Sequence, residues 1–296
     1  MSDESRCGYV AIVGRPNVGK STLLNCLLGK KISITTPKPQ TTRTQILGIQ
    51  TNGALQIIFI DTPGIHDNEK RAMNRYMNRL ANAVIKDADA VLFIVEANHW
   101  DAEDEIVLSS LKMTKAPVIL VLNKMDELKD KALVLPLIEK LKSRFDFADI
   151  VPLSALKADN IGALNAAIDQ FIPSGPHLYP DDQFTDKTIR FQAAEIIREK
   201  IIHATEQELP YSTTVEIESY EETAKLISIS AIIWVERDGQ KPIVIGKDGA
   251  RLKRIGTQAR KDLEKLLNKK VFLRLWVKVK ENWSDDERAL RSLGYE

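Results

Sequence analysis

Residues 14–21, Gly14-Arg15-Pro16-Asn17-Val18-Gly19-Lys20-Ser21, stand between an apolar run and a helical pattern carrying Leu23, Leu24, Leu27 and Leu28. The spacing G-x-x-x-x-G-K-S in that context is a phosphate cradle. Gly14 and Gly19 permit close backbone approach, so successive N–H groups can wrap phosphate oxygens, and the helix N-terminus favours negative charge. Lys20 can reach the β- and γ-phosphates of a nucleoside triphosphate, and Ser21 can ligate Mg²⁺. Such a loop sits at the C-terminal end of a strand in an open α/β sheet.

The surrounding pattern supplies that sheet. Apolar runs at 9–13, 55–60, 90–95, 117–122 and 150–153 read as strands, and they alternate with helical patterns at 70–86, 102–115, 131–145 and 160–172. Runs that are continuously apolar are buried on both faces, as in a mostly parallel sheet wrapped by helices. Segments 45–51 and 55–60 flank Asn52-Gly53, a hairpin signal that makes one edge pair antiparallel. Three prolines within 173–180 and no periodicity predict a linker, which divides the 296 residues into domains 1–175 and 186–296 joined by 176–185.

Composition limits the alternatives. With 44% hydrophobic and 28% charged residues the chain is neither disordered nor collagenous, and two cysteines, Cys7 and Cys26, make no disulfide scaffold or metal spacing. That usage fits a reducing cytosol. The longest apolar runs, 91–95 and 231–235, are too short for a bilayer, and the polar residues 1–9 predict no secretion signal.

Three further motifs lie at strand ends. Asp61, in Asp61-Thr62-Pro63-Gly64, can hold Mg²⁺ through a water, and the Gly64 N–H can sense a γ-phosphate. In Asn123-Lys124-Met125-Asp126 the aspartate can accept both the N1–H and the 2-amino group of guanine, whereas adenine would leave a buried carboxylate unpaired. Ser154-Ala155-Leu156 can support the same ring through a backbone N–H. Together GRPNVGKS, DTPG, NKMD and SAL resemble the translation-factor-related class of P-loop GTPases.

That resemblance implies binding of GTP and GDP with Mg²⁺ held by Ser21 and a threonine of the Pro39-Gln40-Thr41-Thr42-Arg43 stretch, of which it favours Thr42. It places Lys20, Thr42, Asp61 and Gly64 in the catalytic set. Arg15, Pro16, Asn17, Val18, Thr62, Pro63, Ile65, Lys124 and Met125 join the nucleotide-contacting segments. Where Ras-like members carry a water-orienting glutamine this chain has Ile65, which cannot hydrogen-bond, so intrinsic hydrolysis is expected to be slow. Asn17 resembles an asparagine that helps bind K⁺ in some relatives; shaping the turn is the equal alternative. His66, next to Ile65, could be proposed as a base, but a solvent-facing loop histidine is the favoured reading; His99, His177 and His203 show no ligand or triad spacing.

The net charge of +1 conceals an asymmetry: residues 238–281 hold thirteen Lys and Arg against five Asp and Glu, while 181–237 hold six against twelve. A polyanion partner would feel the first segment as a positive field. Within it Gly246-Lys247-Asp248-Gly249 forms a G-x-x-G turn, followed by Arg251, Lys253 and Arg254. In the order α-β-β-α-G-x-x-G-α-β this resembles a type II KH domain, an α+β fold whose turn approaches a sugar-phosphate chain.

KPQTTR at 38–43, ELPYS at 208–212, VIGKDG, LRLWVKVK at 273–280 and DDERALRSLGY at 285–295 extend the likeness to bacterial ribosome-assembly GTPases that join these two domains. The resemblance implies a monomer that binds the 3′ end of 16S rRNA under GTP control during 30S subunit maturation. It also implies a cytoplasmic location with a peripheral fraction on the cytoplasmic face of the inner membrane. The rival reading is a signalling or membrane-recruitment GTPase whose basic C-terminal domain binds protein or lipid. An RNA-modifying enzyme would need a nucleophile or cofactor site, and the sequence offers none.

Overall fold

The computed structural model describes residues 4–38, 40–65, 71–205, 209 and 212–295. The described residues form two compact units: those within Met1–Ser33, Thr42–Lys70 and Asn74–Asp186 make one, and those within Ile34–Thr41, Arg71–Met73 and Lys187–Glu296 the other. His66, Pro39 and most of the ELPYS stretch lie outside the described residues.

The first unit is a six-stranded sheet in the order β2-β3-β1-β4-β5-β6. Its strands are β1 (Arg6–Val13), β2 (Ile46–Asn52), β3 (Leu55–Asp61), β4 (Ala90–Glu96), β5 (Val118–Asn123) and β6 (Asp149–Pro152). The β2–β3 pair is antiparallel, with Asn52 opposite Leu55 and Gly53 at φ 59°, as the Asn-Gly signal predicts; all other pairs are parallel. Val10 to Val13 and Val91 to Val95 are all completely buried, which is why those strands read as unbroken apolar runs. The helices are α1 (Lys20–Leu28), α2 (Ala72–Asp87), α3 (Ala102–Leu111), α4 (Val134–Lys142) and α5 (Ile161–Asp169).

Local chemistry sets several helix ends. Asp101 caps α3 by accepting from the Glu103 and Asp104 N–H groups at 2.8 and 3.3 Å, and Asp104 returns the bond to the Asp101 N–H at 3.1 Å. The helical pattern at 102–115 ends at Leu111. There Thr114 turns the chain, donating to the Ile85 carbonyl at 3.1 Å and accepting from the Ala116 N–H at 3.1 Å. Pro136 is accommodated because it falls in the first turn of α4.

Within this unit the proline-rich stretch is strapped to the sheet. Gln56 is fully buried; its Oε1 accepts from the Leu178 and Tyr179 N–H groups at 2.8 and 3.0 Å, and its Nε2 donates to the Tyr179 carbonyl at 2.8 Å. The Ile49 N–H donates to the Phe184 carbonyl at 2.9 Å, and the Leu47 N–H to Asp186 at 3.1 Å.

In the second unit a three-stranded sheet, β7-β8-β9, is built from β7 (Thr213–Glu222), β8 (Leu226–Val235) and β9 (Lys270–Val279), with β7–β8 antiparallel and β8–β9 parallel. Helices α6 (Ile189–Ala204), α7 (Lys241–Ile245) and α8 (Ala250–Leu267) share a core with one sheet face through Ile197, Ile201, Ala231, Ile233, Val244, Ile255 and Ala259. A short α9 (Glu287–Ser292) follows, with fully buried Trp283 donating to the Ser212 carbonyl at 3.2 Å and Tyr295 stacked on it. In the same unit Glu199 accepts from the Thr35 N–H at 3.1 Å, and Arg198 donates to the Thr41 carbonyl.

Candidate nucleotide site and nucleic-acid groove

The loop between β1 and α1 is shaped by two glycines that nothing larger could replace. A Cβ on Gly14 would lie 2.5 Å from the Ile94 carbonyl oxygen, and one on Gly19, whose φ is 102°, would overlap the Asn123 amide. Asn17 is exposed and left-handed at φ 64°, which fits the turn-shaping role. Lys20 folds back over the loop, donating to the carbonyls of Gly14 and Arg15 at 2.9 and 2.8 Å. Burial pushes its ammonium down to about 8, against the pull of Asp61. Gly64 lies against the same loop: a Cβ there would sit 2.8 Å from the Pro16 nitrogen.

Asp61 is the hub. Its Oδ2 accepts from Ser21 at 2.7 Å, Ser33 at 2.9 Å and Thr42 at 3.4 Å, and the Ser21 and Thr42 hydroxyls are 2.8 Å apart. Burial pushes the carboxyl up, opposed by those hydroxyls and by Lys20. Its Oδ1 is buried with no partner among the described residues. Two hydroxyls and a carboxylate with a spare oxygen are a hard-oxygen set suited to Mg²⁺. Thr42 is the threonine whose hydroxyl meets Asp61; the Thr41 hydroxyl bonds to the Lys38 carbonyl at 2.6 Å and the Thr36 hydroxyl at 2.5 Å. Thr62 ties this strand end to β1, donating to the Ile12 carbonyl at 2.8 Å. Ser33, and Asn25 which accepts from the Ile32 and Ser33 N–H groups at 2.9 and 3.0 Å, carry no sequence signal of their own.

At the end of β5, Asn123 is a latch between three segments. It donates to the Val18 carbonyl at 2.7 Å and accepts from the Ala155 N–H at 3.0 Å. Asp126 accepts from Ser154 at 2.5 Å and the Met125 N–H donates to the Leu153 carbonyl at 3.2 Å, so the NKMD and SAL loops form one surface. Asp126 is exposed, not buried as the guanine argument assumed; a bound base would have to supply the burial that makes an unpaired carboxylate costly.

The Arg15 side chain is engaged within the protein. Its guanidinium is buried among Glu96 at 3.0 Å, Asp104 at 3.2 Å and Asp101 at 3.6 Å, leaving its backbone for a ligand. Glu96 also pairs with Lys124. Burial raises the Glu96 carboxyl, but the Lys124 hydrogen bond and the Arg15 charge outweigh it and hold the group below its ordinary range. Ile65 is 3% exposed and packs into the core of the first unit.

In the second unit the G-x-x-G turn joins α7 to α8. Gly246, Asp248 and Gly249 have φ of 76°, 51° and 75°, and a Cβ on Gly246 would lie 2.6 Å from the Arg251 Cβ. Arg251 donates to the Ile243 carbonyl within α7, so it braces the turn, while Lys247, Lys253 and Arg254 are exposed. Beside the turn a groove of about 430 Å³ is lined by Gly249, Leu252, Lys253, Gly256, Thr257, Arg260, Leu273 and Leu275. Arg260 and Thr257 were not singled out by sequence; their spacing from Lys253 along α8 was the available signal.

Comparison with known proteins agrees with this geometry. A family model described as 50S ribosome-binding GTPase matches residues 9–124, and a KH-domain model matches 208–284. GTPase Era of Marinobacter nauticus is 55% identical over 98% of this chain and 95% of its own length, and that of Pseudomonas fluorescens is 54% identical over 99% and 98%. Two crystal structures superpose with TM-scores of 0.95 at 42% identity, each covering 98% of this chain and 99% of the other. They are Era in complex with MgGDPNP and nucleotides 1506–1542 of 16S ribosomal RNA, and a single-residue variant of Aquifex aeolicus Era bound to GDP and aluminium fluoride.

Proposed function

Because this chain belongs to the Era family of GTPases, we propose that it is a GTP-hydrolysing switch that binds the 3′ end of 16S rRNA and assists assembly of the 30S subunit. The carrying observation is the convergence of Ser21, Ser33 and Thr42 on one oxygen of Asp61, with the other oxygen buried and without a partner among the described residues. It joins the phosphate loop to the threonine segment that a γ-phosphate would hold, which is the construction of a nucleotide switch.

In this reading residues 1–175 are the GTPase domain, 176–185 the connecting segment and 186–296 the RNA-binding domain. Lys20 and the backbone N–H groups of 14–21 bind the phosphates, and Asn123 and Asp126 select guanine. Mg²⁺, held by Ser21 and Thr42 with Asp61 behind them, neutralises phosphate charge when bound. Lys20 and the Gly64 N–H then stabilise charge on the departing phosphate. Asn17 is a candidate K⁺ ligand. Lys247, Lys253, Arg254 and the groove beside the G-x-x-G turn hold the RNA. The protein acts as a cytoplasmic monomer, and a peripheral fraction at the inner membrane would meet anionic headgroups with the same basic surface.

Two measurements test this. RNA affinity by anisotropy should differ between GDP and a non-hydrolysable GTP analogue, and by linkage RNA should shift nucleotide affinity by the same factor; equal affinities would remove the switch. Asp126→Asn should move base preference from guanine toward xanthine, whereas ATP competing as well as GTP would remove the guanine assignment.

A further inference from the structure

The sheet of the second unit has one face covered by helices; on the other, Tyr295 meets the buried Thr214 at one end, at 2.9 Å, while the β9 edge stays exposed. Along β9 the side chains alternate: Leu273 and Leu275 line the groove beside α8, while Phe272, Arg274, Trp276 and Lys278 lie on the opposite face. Phe272 is 50% exposed and Trp276 40% exposed, an unusual state for two large aromatics on one edge strand. The Arg274 guanidinium stands between them, 5.5 Å from the Phe272 ring centre and 5.8 Å from that of Trp276. In register on β8 are the small Ser228 beside Phe272 and Ser230 beside Arg274, while the buried Ile232 stands beside Trp276 and backs that ring without closing its exposed part.

Charge chooses the occupant. The β9 side of this face is basic, and the far strand carries Glu216, which accepts from the Trp234 indole at 2.7 Å. A polyanion is therefore favoured along β9 and repelled from β7. Aromatic rings alternating with cations form a stacking platform for unpaired bases, with arginine and lysine meeting the sugar-phosphate chain. An apolar protein partner would have to desolvate Arg274 and Lys278, for which the described residues offer one carboxylate in range, Glu218 at 3.9 Å from Lys278.

We propose that the bare face of β9 is a second single-stranded RNA surface, continuous with the G-x-x-G groove around the edge of the strand, on which bases stack against Phe272 and Trp276. The proposal rests on the reading of this unit as an RNA-binding domain and extends its footprint. A G-x-x-G turn clamps about four nucleotides, and β9 presents its two faces on either side of one free edge. A strand leaving the groove can turn over that edge and meet the rings, which stand about 13 Å apart along the strand.

The test uses the full chain with a non-hydrolysable GTP analogue and two RNA probes drawn from nucleotides 1506–1542 of 16S rRNA. One is the tetranucleotide that binds tightest, and the other a dodecanucleotide that contains it. The double variant Phe272→Ala, Trp276→Ala should weaken the dodecanucleotide about tenfold or more, since each stacked base contributes at least about fivefold, and leave the tetranucleotide unchanged. Trp276→Phe should restore most of the loss of Trp276→Ala, and Arg274→Glu, which keeps both rings, should also weaken only the longer probe. Gly246→Asp should weaken both probes. If the aromatic double variant, folded by its melting curve, binds the dodecanucleotide as wild type does while Gly246→Asp weakens both, the second surface is refuted and the RNA-binding reading stands. If Gly246→Asp leaves both probes unaffected, that reading fails and the proposal with it. A wild-type dimer converted to monomer by the double variant would make this face an interface between copies and overturn the proposal.

Discussion

Replacing Asn123 by alanine isolates what the latch contributes. The side chain is 2% exposed, and its removal leaves the Val18 carbonyl and the Ala155 N–H, both buried, without their partners. Each orphaned group costs about 1–3 kcal/mol, so unfolding of the first unit should become easier by roughly 2–6 kcal/mol, with about 3 the central expectation. Asn123→Asp is the instructive control: it keeps an acceptor for the Ala155 N–H but turns a second oxygen toward the Val18 carbonyl, and should be at least as damaging. Urea titration followed by circular dichroism gives the stability, and a fluorescent GDP analogue gives the affinity, which should fall because the phosphate loop and the guanine loops lose their common tie. A loss below about 0.5 kcal/mol with unchanged GDP affinity would refute the reasoning, since it would mean that both groups find other partners at no cost.

Ile65→Ala should leave turnover per bound nucleotide nearly unchanged, because no hydrogen bond to water is removed, yet destabilise the chain by about 2–5 kcal/mol because the side chain is in the core; a melting curve and single-turnover kinetics separate the two effects. Glu96 is held below its ordinary range, so its contribution to stability is present above about pH 4.5, the unfolded value, and is lost as pH falls through the lower folded value. Wild type should therefore lose stability on acidification more steeply than Glu96→Gln, and parallel profiles would exclude Glu96 as the source. Gly246→Ala should destabilise more than Gly249→Ala: Gly249 is left-handed, a strain of about 1–2 kcal/mol, and opens on space, whereas Gly246, at φ 76° and ψ 172°, lies in a region essentially reserved for glycine and places a Cβ against Arg251. Equal melting temperatures for the two variants would contradict this.

The elements legible in sequence are those whose signal is local. Continuous apolar runs located the strands of the first sheet, Asn52-Gly53 its antiparallel edge, and the alternation of 271–279 the edge strand of the second. The phosphate loop was legible because its glycines and lysine act through backbone geometry fixed by their spacing. What stayed hidden depends on neighbours distant in the chain. Nothing in the motif shows that the Arg15 guanidinium turns to Glu96 and Asp104 instead of a phosphate, or that Arg251 bonds to the Ile243 carbonyl. Ser33 becomes part of the site only because Asp61 meets it at 2.9 Å. Gln56, a polar residue inside an apolar strand, was the visible trace of the strap at 178–186, since a buried amide must find partners somewhere.

Lys20 and Asp61 are both buried, each further from solvent than its charge favours. A nucleotide and its cation compensate these charges, so the fold without ligand is the less stable one and the liganded fold is favoured by mass action. Survival of the chain against proteolysis should then become a function of guanine-nucleotide supply, with molecules without ligand expected to open more often and to be cleaved first. The same two charges assigned to the nucleotide would thereby set how many copies of the protein persist, a link that proteolysis half-lives across a GDP series would register directly.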